Sequence, residues 1–163
     1  MKLAEALIVR AEIQDRLKNL EGRACLAARH QEGDEVAEDA AALVAEALRV
    51  HAELAELVAR INQTNATHRL ANGLTITQAI ARRGMLGKQQ VFLRTVADAA
   101  MGIEENYGRY SRSTNVRETR TELRWIAAVP VVTLREQRDS VAQERRILDT
   151  MIQEANWTVE LVD

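Results

Sequence analysis

The sequence predicts a mainly α protein: a long antiparallel helical hairpin plus two further helices, with a short β-strand or hairpin before the last helix. Three observations predict it. Aromatic residues make up only 3% of the 163 residues, against 47% hydrophobic and 28% charged, a balance that suits amphipathic helices better than sheets. One proline and seven glycines leave few enforced breaks. Apolar residues also recur at alternating spacings of three and four along three stretches, the seam spacing of packed helices. A chain of this length forms one helical domain, residues 1–163, with a core of its own or one shared with an oligomer.

The first helix is expected over 2–29. Its seam is Leu3, Ala6, Arg10, Ile13, Leu17, Leu20, Ala24 and Ala27. Arg10 breaks the apolar run and fits there with its stem against a partner helix and its head paired. Gly33 supplies a turn, and Asp34 and Glu35 favour the start of the second helix, expected over 36–65. Its seam, Val36, Ala40, Leu43, Ala47, Val50, Leu54, Leu57 and Ile61, is apolar throughout. Asn72-Gly73 marks a turn, and Thr75 with Gln78 forms a capping box that opens a third helix over 76–105. Gly84, Gly87 and Gly102 fall inside that helix and point to a kink or a close helix approach.

Residues 107–131 break the helical pattern. Arg109, Arg112, Arg117, Arg120 and Arg124 alternate with polar residues, and the β-branched stretch ending at Pro130 fits a short strand or hairpin within 111–129. The fourth helix, over 132–156, carries the seam Leu134, Arg138, Val141, Arg145, Leu148, Ile152 and Ala155. Arginines on a seam point to ion pairs across an interface, since a buried charge without a partner is costly.

Several function classes find no support. No apolar run approaches the roughly 20 residues of a membrane helix, and the opening MKLAEALIVRAEIQDRL lacks a signal-peptide core. A cytoplasmic protein is the expectation. The one cysteine, Cys25, excludes an internal disulfide and reads as a buried small residue. His30, His51 and His68 lie in no metal-ligand spacing, and no phosphate-binding loop or nucleophile elbow is present. The sequence therefore predicts no enzyme, no metal and no cofactor.

Charge is uneven. Residues 1–65 hold 12 acids and 8 bases, residues 66–131 hold 5 and 10, and residues 132–163 hold 7 and 4. A basic middle between acidic ends favours contact between these parts, within or between chains. The five arginines above, with Tyr107, Tyr110 and Trp125, form the candidate interaction surface; Arg10, Arg138 and Arg145 form the candidate interface seam. Arginines beside aromatic rings also suit phosphates and bases, so nucleic-acid binding is an alternative, although the net charge of -2 argues against it.

The stretches MKLAEALIVRAEIQDRL, RINQTNATHRL, YSRS and LDTMIQEANWTVEL together resemble the septicolysin-like family of small bacterial proteins. The resemblance runs nearly end to end. It implies a helical core with a small extended segment and homo-oligomeric assembly, a hexamer among the options. It transfers no catalytic residue. The family name makes a membrane-active cytolysin a further alternative, with residues 125–134 as the only uncharged run before the last helix able to insert. The reading carried forward is a non-catalytic, cytoplasmic, homo-oligomeric assembly or interaction protein.

Overall fold

The computed structural model describes residues 1–31, 33, 38–103 and 126–162. Among these, four helices follow in order: α1 (Leu3–Ala27), α2 (Ala40–Thr67), α3 (Ile76–Ala100) and α4 (Val131–Thr158). The mainly α fold class is as the sequence predicts. Most of the expected β segment, residues 107–125, lies outside the described residues; the described remainder, 126–130, bends without forming a strand.

The chain divides into two compact units, Met1–Ile80 with Thr150–Asp163, and Ala81–Asp149. In the first, α1 and α2 pack as the predicted hairpin. All eight predicted seam positions of α1, and the seven of α2 from Ala40 onward, are buried or half-buried. Leu17, Leu20, Leu43 and Val50 form the centre of this seam, with Ile13, Ala24, Ala27, Ala47 and Leu54 packed around them. Burial of such side chains stabilises by about 1.5–3 kcal/mol each. Arg16 donates to Glu46 across the hairpin at 2.6 Å, and Arg23 pairs with Glu38.

Helix α2 begins at Ala40, later than the expected Val36, because Asp39 is its cap. The Asp39 carboxylate accepts from the N–H of Ala41 at 2.8 Å and of Ala42 at 3.3 Å, satisfying donors that the first turn leaves free. The Asn72-Gly73 turn forms as predicted: Gly73 adopts φ +82°, the Asn72 side chain accepts from Leu74 N–H at 3.1 Å, and Arg69 and Thr75 pair across it. The capping box forms too, with Gln78 N–H donating to Thr75 Oγ1 at 3.2 Å and Thr75 N–H to Gln78 Oε1 at 2.9 Å.

Both ends of the described chain meet in this unit. Leu3 N–H donates to Val159 O and Leu161 N–H to Met1 O, each at 2.9 Å, around an antiparallel Lys2–Glu160 bridge. Thr64 of α2, only 1% exposed, anchors the same place. Its hydroxyl donates to Arg60 O at 2.8 Å and accepts from Val162 N–H at 3.1 Å, while Arg60 Nε–H donates to Val162 O at 2.9 Å. This clasp joins α2 to the segment after α4.

In the second unit, Leu86, Leu93 and Ala97 of α3 and Leu148 of α4 are buried. Arg82 pairs with Glu144, and Arg83 Nη1 lies 2.7 Å from Asp149 Oδ1. Gly102 does not lie inside α3 as expected. It ends the helix: at φ +73°, it lets Ile103 N–H reach back to Asp98 O at 2.9 Å, a C-terminal closure that favours glycine.

Candidate functional site

The predicted interaction surface, Tyr107, Arg109, Tyr110, Arg112, Arg117, Arg120, Arg124 and Trp125, lies wholly outside the described residues. The candidate seam arginines are described, and each has its own surroundings within the chain. Arg10 is half-buried, and its Nε is enclosed without a hydrogen-bond partner among the described residues. Arg138 donates to its own neighbour Asp139, Nη2 to Oδ1 at 2.8 Å. Arg145 is exposed and reaches the neutral Gln90 of α3, Nη1 to Oε1 at 3.4 Å.

Cys25 is exposed rather than buried. It lies one step beyond Ala24, and that single step of about 100° turns it off the hairpin seam. Among the described residues no group of His, Cys, Asp and Glu is placed to hold a metal, and no helix is long and apolar enough to cross a membrane.

Two features emerge that the sequence reading missed. The first is a second apolar stripe on α2. Ala41, Ala45, Leu48, Ala52, Ala55 and Ala59 alternate at spacings of four and three, and all six are exposed, with Leu48 65% exposed. They follow residues of the hairpin seam by one or two positions in turn, so they face a different direction from the residues that cover α1. The spacing is legible in the sequence, but the stronger aliphatic seam beside it dominates the pattern. On α3, Ala81, Met85 and Phe92 are likewise exposed at helical spacing, with Lys88 between them.

The second feature is a groove between α3 and α4 of about 420 Å³, wholly within the second unit. Arg83, Gly84 and Gly87 line it from α3, and Arg145, Arg146 and Asp149 from α4. Its signals in the sequence are the pair Gly84 and Gly87, which point to a kink or a close helix approach, and the seam arginine Arg145, which points to an ion pair across an interface. Among the described residues that line it, Asp149 is the one carboxylate and Arg83, Arg145 and Arg146 are the basic groups.

Electrostatics elsewhere are local. The hydrogen bond from Arg23 holds the Glu38 carboxyl below the usual range, and that from Arg16 does the same for Glu46. Glu160 is held low by hydrogen bonds from Lys2 and the N-terminal ammonium. These pairs sit at the hairpin and the clasp, where they tie segments together.

The family model described as "Family of unknown function (DUF6847)" matches residues 10–161. A solved structure, that of a functionally unknown conserved protein from Corynebacterium diphtheriae, is similar over 99% of each chain, with 31% identity and a TM-score of 0.77. No curated protein matches the sequence. The chain belongs to the DUF6847 family.

Proposed function

We propose that this member of the DUF6847 family is a non-catalytic, cytoplasmic assembly protein that forms homo-oligomers through its helices. The observation that supports this most directly is the exposed stripe Ala41, Ala45, Leu48, Ala52, Ala55 and Ala59 on α2. Its spacing repeats that of the buried hairpin seam, and such a seam gains stability when a second helix covers it. A second copy of the chain supplies such a helix at no further requirement, and the small alanines let the two backbones approach. The arginine-rich residues 109–124 then serve as contacts to acidic segments of neighbouring copies.

Absolute mass by size-exclusion light scattering, at low and at high salt, tests the reading. A fixed oligomer in both conditions supports apolar cohesion. Leu48→Glu together with Ala52→Glu should reduce the mass to that of the single chain of 18.3 kDa. A wild-type chain that is monomeric in both salts, or a double variant of unchanged mass, overturns it. An oligomer lost only at high salt moves the cohesion from the alanine stripe to the charged residues.

A further inference from the structure

We propose that a second copy of the chain lies antiparallel on α2, in the one register that sets Arg49 of each copy against Glu56 of the other. The proposal rests on the homo-oligomeric reading above and adds how the two copies meet. The exposed apolar face of α2 is not made of alanines alone: Val44 is 49% and Leu48 65% exposed. It continues past Ala59 to the exposed Asn62 and Ala66, so it runs the whole 28-residue helix. Two exposed charges flank it on one side. Arg49 directly follows Leu48 and Glu56 directly follows Ala55, seven residues or two turns apart, so they hold equivalent places beside the stripe.

In an antiparallel pair, residues on this flank meet the same flank of the opposite helix, and charges there set orientation and register. Sliding one helix past the other by seven residues changes which charges meet. One register sets Arg49 against Arg49. The register two slides away sets Glu56 against Glu56. The register between them sets Arg49 against Glu56 twice, once on each side of a two-fold axis. Like charges brought together at an interface oppose association, and opposite charges favour it. The middle register also lays Ala41 against Ala66, Leu48 against Ala59 and Ala52 against Ala55. It overlaps the two helices along their full span, Ala40–Thr67, about 42 Å, whereas either neighbouring register leaves two turns of each helix uncovered. Charge and length therefore select the same register independently. A parallel pair would set Arg49 against the apolar Val44 and offer it no opposite charge.

Two measurements on the full chain test the proposal, both with Cys25→Ser because Cys25 is exposed. The first is disulfide crosslinking under mild oxidation after subunit exchange. Ala41→Cys and Ala66→Cys chains should crosslink when mixed, and neither should crosslink alone. Crosslinks from Ala41→Cys alone, or none in the mixture, overturn the antiparallel arrangement. The second is self-association by sedimentation equilibrium. Arg49→Glu and Glu56→Arg should each weaken it by about tenfold, because two attractive pairs become repulsive. The double variant should recover it, and so should an equimolar mixture of the two single variants, in which every opposed pair again carries opposite charges. Single variants that associate as the wild type does, or a mixture no stronger than its parts, overturn the register. A wild-type chain that is monomeric removes the homo-oligomeric reading itself, whereas an oligomer with the wrong crosslinks removes only the arrangement proposed for it.

Discussion

The clasp at the chain ends and the groove between α3 and α4 use polar groups in opposite ways. In the clasp, Thr64, Arg60 and Val162 consume one another's hydrogen bonds, and Thr64 is buried in doing so. In the groove, Arg145 faces a neutral amide and a bare stretch of helix. Polar groups that close on each other hold a fold together, and their removal costs stability. Polar groups left facing open space add little to stability, and their removal is felt by whatever enters that space. The two regions should therefore respond differently to comparable substitutions.

The largest effect belongs to the clasp. Leu3 is 1% exposed, and Leu3→Ala should lower the unfolding free energy by about 2–5 kcal/mol. Urea denaturation measures it, and a loss as large for Arg145→Ala would break the contrast. Next is Thr64→Val, which keeps the shape but strands the Val162 N–H. The expected loss is about 1–3 kcal/mol, and a neutral result would show that the hydroxyl is dispensable.

The third effect has the opposite sign. Gly84→Ala in the groove should raise stability by up to about 1 kcal/mol, because a Cβ there meets nothing within 4 Å. A thermal midpoint below that of the wild type would contradict the open groove.

The smallest effect is the pH response of Glu160. Its carboxyl is held low by Lys2 and the N-terminal ammonium. The associated stability is present above the ordinary carboxyl value of about 4.3 and is lost as pH falls through the lowered folded value. Glu160→Gln should narrow the gap in thermal midpoint between pH 7 and pH 3. The pair is exposed, so the change is modest, and a gap of undiminished size would place the pH response elsewhere.

Much of the first unit was legible because its determinants are local. The seam of α2 from Ala40 to Ile61, the Thr75–Gln78 box and the Asn72-Gly73 turn each depend on residues within a few turns of one another, and periodicity captures such patterns. The start of α2 was misplaced because three acids, Asp34, Glu35 and Asp39, compete as starting signals, and only the geometry of Asp39 selects the cap. Cys25 was misread because a one-residue step decides whether a helical side chain faces the seam. The clasp and the groove were not legible at all as units. Lys2 meets Glu160, and Gly87 meets Arg145, pairings that no local spacing encodes. The stretches RINQTN and QEANWTVEL supply much of the clasp or lead into it: Arg60, Thr64, Val159 and Leu161. Their residues are explained by structure before any activity is invoked.

The clasp also sets a timescale. The amides of Leu3 and Leu161 are each held by the opposite end of the chain, and that of Val162 by Thr64 of α2. None can open far while the other two stay closed. In deuterated solvent the three should lose their protons together, as one cooperative opening unit. Fraying, usual for the first and last residues of a domain, is thereby replaced by a single event that releases both ends at once.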